Sequence, residues 1–444
     1  MMGQKILVIG AARSGLASAE FLARQGNQVV LTDMKQQNDV EYLESLGVSF
    51  IWGEQPDVAL LQPDYIVMSP GVPLTIPPVQ YAQANHIPVI GELELAYRNC
   101  KAPFVAITGT NGKTTTTTLT GELLKKTGKR VFVGGNIGVP LISYGAELSK
   151  DDVVVAEVSS FQLETVAEFR PHLSLMINLT PDHLDRHGDM EQYLACKANI
   201  FKNQKEDDYL ILNYDDEALR EVANTSKGNV LFFSQKHILQ EGVWLEDGNV
   251  VLKLGENKFI VCTEDEIAIK GKHNLENAMG AILLAYLSGV TVAEIRTVLM
   301  TFQGVAHRLE PVRTHQGVQY INDSKGTNPD STIKAIEAYP KDMILILGGY
   351  NKGSDFTELI RLVKKYVKHV IVLGDAKYAI IDAMQQLEYT AYTEVANVEE
   401  AVEKAAALAV SGDVVMLSPA CASWDMFKSY EERGDLFKQL VLNL

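Results

Sequence analysis

Residues 109–115, Gly-Thr-Asn-Gly-Lys-Thr-Thr, have the types and spacing of a phosphate-binding turn. Glycines let the backbone approach a phosphate closely, successive N–H groups converge on its oxygens, and a helix starting just after adds a favourable dipole. Gly109, Thr110, Asn111 and Gly112 would form the cradle, with Thr115 opening the helix behind them. Lys113 would reach the β- and γ-phosphates, and the Thr114 hydroxyl would sit on Mg²⁺. Ile107 stands where the general G-x-x-x-x-G-K-[ST] pattern has its first glycine, so the match is partial. The chemistry implied is ATP or GTP binding; the plain alternative is an ordinary glycine turn before a helix.

Other polar groups sit where ligands of open α/β sheets gather. Glu157 ends the apolar run Val153–Ala156, a good place for a carboxylate to hold Mg²⁺ through oxygen. His183, in Asp182–His187, could ligate a second cation, contact substrate, or be an ordinary surface histidine. Lys197, beside Tyr193 and Ile200 on a helical pattern, reads by default as a solvated charge. No Cys/His cluster has the spacing of a zinc site. His307-Arg308 and Asn322–Asn328 suit a nucleotide's phosphates and ribose, though not uniquely. Lys352 after Gly348-Gly349, and Ser418–Ser423 after a final strand, suit a second, small substrate. Near the N-terminus, Gly10–Gly15 with Asp33 imitates a dinucleotide fingerprint, but Ala12 replaces the middle glycine and disfavours NAD. Ser69-Pro70-Gly71 follows another strand and reads either as ligand loop or as rigid connector.

The elements that must position these groups repeat in three cycles. Lys5–Gly10, Val29–Asp33, Tyr65–Ser69 and Pro88–Ile90 read as strands alternating with helices such as Ser14–Arg24. A second cycle opens near Pro103, continues through Val153–Glu157 and Leu173–Asn178, and carries hairpins over 243–269 at its edge. A helix from Asn274 to about Leu287 ends at Gly289. The third cycle has strands Met343–Leu347, Val370–Leu373 and Val414–Leu417. The expected class is α/β, with a Rossmann-like domain over 1–98, a P-loop ATPase-like domain over 99–300 and a second Rossmann-like domain over 301–444.

With 444 residues and a formal charge of −16, the chain argues against nucleic acid or an anionic membrane as partner. Four scattered cysteines read as reduced thiols of a cytoplasmic protein. No apolar stretch approaches 18 residues, so membrane insertion is not expected.

Taken together, GTNGKTT at 109, GGNIG at 134, EVSSFQLE at 157, TPDHLDRHG at 180, GKHNLENA at 271, HRLE at 307, NDSKGTNP at 322 and LSPACASWDMFKSYEERG at 417 closely resemble the Mur ligase family along the whole chain. The resemblance implies that the three domains bind a UDP-sugar, ATP and an incoming amino acid. It implies ATP-dependent addition of D-glutamate to UDP-N-acetylmuramoyl-L-alanine through an acyl phosphate, in cytoplasmic peptidoglycan precursor synthesis, by a monomer. A sister Mur ligase or a folylpolyglutamate synthase-like ligase is the alternative, and a nucleotide-binding oxidoreductase or regulatory module is the reading from another class.

By the same resemblance, Lys113 and Thr114 bind ATP phosphate and Mg²⁺, Glu157 ligates metal, and His183 serves a second metal. His183 is also a candidate base. Lys197 matches a position that is N-carbamylated in related enzymes, which would make it a metal-directed carboxylate. Asn274 and Asn277 would face adenine, Arg308 the phosphates and Asp323 the ribose. Asn136 and Ser159 would contact the UDP-sugar, with Ser14, Lys35, Ser69, Pro70 and Gly71 forming its pocket. Lys325, Thr327, Lys352, Ser423 and Tyr430 would receive D-glutamate.

Overall fold

Each cycle of apolar runs closes into its own sheet. The computed structural model describes residues 3–37, 40–145, 147–340, 342–351 and 353–444. The first sheet is all parallel, in the order Ser49–Trp52, Gln28–Asp33, Lys5–Ile9, Tyr65–Met68, Val89–Gly91. Its central strand is a continuous apolar run, as expected of a parallel strand covered on both faces. Strand order reverses around Lys5–Ile9, which opens a crevice at the turn after it.

Among the described residues, the second sheet has nine strands. Its parallel core places Phe104–Thr108 between Val153–Glu157 and Leu173–Met176. The strands Gly242–Glu246, Asn249–Leu254 and Asn257–Thr263 form the expected antiparallel edge. In the third sheet Val414–Leu417 lies between Val318–Asn322 and Met343–Gly348, all parallel, and Glu310–His315 pairs antiparallel at one edge. In every sheet, the candidate ligand loops follow the C-terminal ends of the strands where the order reverses.

The chain groups into two compact units, the first of which holds two of the three sheets: residues 1–264 with 276–298, and residues 265–275 with 299–444. The first two sheets share one unit because they share a core. Ile6, Val8 and Leu31 of the first belong to the same buried cluster as Phe104, Ala106 and Val154 of the second. Two carboxylates from the helix Glu92–Asn99 reinforce that junction. Glu94 accepts backbone N–H groups from Ala167, Glu168 and Phe169 at 2.9, 2.9 and 3.0 Å, and pairs with Arg98 at 2.8 Å. Glu92 accepts from the Ile142 N–H at 2.8 Å, while its second oxygen is buried without a hydrogen-bond partner.

Burial pushes the Glu92 carboxyl up to about 7, more than its two backbone hydrogen bonds pull it down. The folded state therefore holds a proton that the unfolded chain, titrating near 4.5, has already released. That stabilisation is fully present below the unfolded value and is lost as pH rises towards 7. Glu92→Gln is neutral throughout, so its stability relative to the parent should improve from pH 5 to pH 8, by up to ~3 kcal/mol. Paired denaturation curves check this; a difference independent of pH would contradict it.

Candidate active site

Strand Phe104–Thr108 delivers the chain into the turn at 109–112, and helix Lys113–Leu124 starts at once, as its sequence requires. Gly112 adopts φ 84°, and a β-carbon there would overlap the Asn277 side-chain oxygen. Only glycine serves both the left-handed turn and that close approach. The turn is held from the neighbouring strand end by Asn178, whose Oδ1 accepts the Thr110 and Asn111 N–H groups at 3.1 and 2.9 Å. Its amide donates back to the Asn111 carbonyl at 3.2 Å. Thr110 Oγ1 adds a bond to the Thr180 carbonyl at 3.0 Å and accepts the Thr180 N–H at 3.0 Å. A loop fixed this firmly can offer the first amides of its helix, which have no intrahelical acceptor, to an anion.

Two lysines converge on this loop. Lys113 Nζ donates to the Gly109 carbonyl at 2.9 Å and to the Thr110 carbonyl at 2.7 Å. Lys197 Nζ donates to the same Gly109 carbonyl at 2.8 Å and lies 4.6 Å from the Tyr193 ring centroid. Lys197 is 1% exposed, so it is not a solvated charge. Burial, and next the charge of Lys113, drive its amine well below the ordinary lysine range. Glu157 is equally buried. Its Oε1 accepts from Asn136 Nδ2 at 2.8 Å, and its Oε2 has no hydrogen-bond partner. A buried, unpartnered carboxylate oxygen is what a Mg²⁺ site supplies, so the residues fit that ion.

His183 takes φ 54° at the start of the short helix Leu184–His187, with Nε2 3.5 Å from Asp182 Oδ2. A positive φ on a non-glycine residue is a strained choice that persists only where surroundings hold it. Ser159 caps helix Ser160–Leu163, accepting the Gln162 N–H at 3.3 Å in a capping box. In the first sheet, Asp33 is engaged by main chain. Its carboxylate accepts the Ala11 N–H at 2.7 Å and the Lys35 N–H at 2.9 Å, which braces the turn from Gly10 to the helix carrying Ser14. Ser69 Oγ donates to the Gly10 carbonyl at 2.8 Å, so the Ser69-Pro70-Gly71 loop is tied to that same turn.

The remaining candidates lie in the second unit. Asn274 Nδ2 donates to the Lys270 carbonyl at 2.8 Å. Asp323 is wholly buried: it accepts from Ser418 Oγ at 2.6 Å and the Leu309 N–H at 3.1 Å, and stands 3.9 Å from Arg308. Burial raises its carboxyl to about 6, against the pull of Arg308 and Ser418. This makes Asp323 a brace between two loops. Lys325 Nζ lies 5.1 Å from the Tyr430 ring, which also faces His307 at 6.1 Å. Thr327 follows on the same turn, its N–H bonded to the Lys325 carbonyl at 2.9 Å. Ser423 is buried, and its carbonyl accepts the Phe427 N–H at 2.8 Å. Lys352 lies outside the described residues.

Three family profiles match the chain in order: Mur ligase MurD-like, N-terminal domain over 4–91; Mur ligase middle domain over 107–285; and Mur ligase, glutamate ligase domain over 307–421. The chain belongs to the Mur ligase family. Among Mur ligases, it is 50% identical to the UDP-N-acetylmuramoylalanine--D-glutamate ligase of Pelotomaculum thermopropionicum, over 99% of this chain and 98% of that one. It is 45% identical to the enzyme of the same name from Alkaliphilus metalliredigens, over 100% and 99% of the two chains. The MurF ligase of Thermotoga maritima, solved with ADP, shares the fold at TM-score 0.62 and 18% identity over 100% of this chain and 96% of that one.

Asn178 is the site residue that motif reading missed. The signal was present: a polar residue ending an apolar strand, the same cue that singled out Glu157. Gly112→Ala should cost ~1 kcal/mol or more of stability and weaken ADP binding at least tenfold, since both the φ and the Asn277 contact must give way. Calorimetric titration with ADP checks this, and an unchanged Kd would contradict it.

Proposed function

We propose that the protein is an ATP-dependent ligase that joins D-glutamate to the alanyl carboxylate of UDP-N-acetylmuramoyl-L-alanine in peptidoglycan precursor synthesis, acting as a cytoplasmic monomer. The observation that carries this reading is one cluster: a braced phosphate-type turn, two lysines on its Gly109 carbonyl, and the unpartnered oxygen of buried Glu157. Full-length identity of 45–50% to enzymes with that name supports the choice of substrates. We assign 1–98 to the UDP-sugar, 99–300 to ATP and 301–444 to the amino acid. Among the described residues, no helix is long and apolar enough to cross a membrane.

A carboxylate resists amide formation because oxide is a poor leaving group. Phosphorylation by ATP gives an acyl phosphate; the glutamate amine then attacks the carbonyl, and phosphate leaves with one former carboxylate oxygen. Two anions must meet in the first step, so stored positive charge matters most. The turn at 109–112 orients the phosphates and Lys113 neutralises the moving phosphoryl group. Thr114, Glu157, His183 and a carbamylated Lys197 would hold Mg²⁺, which supplies charge neutralisation between phosphate and carboxylate. Asn136, already bonded to Glu157, and Ser159 address the UDP-substrate. Ser14, Lys35 and the Ser69–Gly71 loop line its far end. Asn277 and Asn274 face adenine, and Arg308 the phosphates. Asp323 serves the ribose side by bracing the loops around it. Lys325, Thr327, Lys352, Ser423 and Tyr430 receive D-glutamate, whose amine must lose a proton, with His183 as candidate base.

The environment of Lys197 favours its modification. Burial, and next the charge of Lys113, lower its amine well below the ordinary lysine range, which favours the nucleophilic form. Attack of the neutral amine on CO₂ forms an N–C bond, releases a proton and leaves an anionic oxygen donor at the end of the side chain. ADP release should require both UDP-N-acetylmuramoyl-L-alanine and D-glutamate. In the same assay, Lys197→Ala should fall at least a hundredfold and recover in part with formate or acetate, while Lys113→Ala stays inactive with either. ADP release independent of the UDP-substrate would refute the ligase reading. A fully active Lys197→Ala would refute the carbamate.

A further inference from the structure

The segment Asp182–His187 contributes more than His183. Arg186 grips Glu164 with both ends of its guanidinium, Nε to Oε1 at 3.0 Å and Nη2 to Oε2 at 2.5 Å. The same guanidinium donates to the carbonyls of Gly71 and Val72, at 3.4 and 3.1 Å. It also stacks 4.3 Å over the Phe161 ring centroid, and the Phe161 and His183 rings meet edge to face with centroids 4.8 Å apart. Glu164, His187 and Cys196 have ligand atoms within 4.8 Å of one another, a spacing that suggests a cation site. Both Glu164 oxygens are already engaged by a guanidinium, however, so this cluster is better described as a clamp on Arg186.

The clamp links two loops that must agree in position. On one side, the Val72 N–H closes a turn on the Ser69 carbonyl at 3.1 Å, and Ser69 reaches the Gly10 turn. On the other side lies His183, through Phe161. We propose that Arg186 is a positioning residue for the UDP-sugar substrate, fixing the Ser69–Val72 loop at one set distance from His183. This rests on the ligase reading above. A guanidinium suits the task because its planar fork holds the carboxylate bidentately while remaining donors take carbonyls and its face stacks on the ring. A lysine ammonium has no such geometry.

Steady-state kinetics in all three substrates tests this, using Arg186→Met, Arg186→Lys and Glu164→Gln. Arg186→Met should raise KM for UDP-N-acetylmuramoyl-L-alanine about tenfold or more, with KM for ATP and D-glutamate within about twofold and the melting temperature little changed. Arg186→Lys, which keeps the charge and the aliphatic stem, should show the same selective rise at smaller size. Glu164→Gln should follow Arg186→Met, and the double variant should add little to either. Equal rises in all three KM values, or an unchanged KM for the UDP-substrate, would overturn the inference while leaving the ligase reading intact. Should Arg186→Met not fold, the lysine variant carries the same comparison. A parent enzyme that turns over ATP without the UDP-substrate would instead refute the reading on which the inference rests.

Discussion

One carbonyl oxygen, that of Gly109, receives two lysine side chains, and much of the central site follows from that convergence. Two ammonium groups on one acceptor repel each other, and one of them is fully buried. Burial, and next the charge of Lys113, push the Lys197 amine well below the ordinary lysine range. A rigid loop is required to keep both on the same oxygen. Asn178 supplies that rigidity by holding Thr110 and Asn111 from the adjacent strand.

The first two sheets are joined by similar means. Buried carboxylates of Glu92 and Glu94 reach across to backbone N–H groups, and Arg186 reaches back to the Gly71 and Val72 carbonyls. Each contact pairs an ionisable side chain with main chain, which transmits position without depending on a particular facing residue. The apolar cluster shared by both sheets does the bulk of the stabilising, while these polar links set register. The unit that carries the phosphate-type turn and the Ser69–Val72 loop is thus built as one body.

The turn at 109–115 is legible in the sequence because strand, glycine turn and helix are contiguous, and their residue types have local causes. The three sheets are legible for the same reason: strand and helix periodicities alternate without long interruptions. Strand order follows less directly, since Phe104–Thr108 pairs with strands that begin 49 and 69 residues later. From its own helix Lys197 reads as a surface charge, because nothing there shows which side meets Gly109; only the family resemblance points elsewhere. Asn178, Glu94 and Arg186 act on partners 67 to 115 residues away. A motif displays its own residues but not the distant backbone that they hold. At Gly10–Gly15 the sequence shows Ala12 in place of the middle glycine, while the engagement of Asp33 by two backbone N–H groups is visible only in the fold.

Transfer of oxygen from substrate to phosphate tests the central claim most directly. UDP-N-acetylmuramoyl-L-alanine labelled with ¹⁸O in the alanyl carboxylate would be turned over with ATP and D-glutamate, and the released phosphate analysed by mass. An acyl phosphate requires one ¹⁸O to appear in each phosphate formed. Unlabelled phosphate, released at the rate of ligation, would contradict the account.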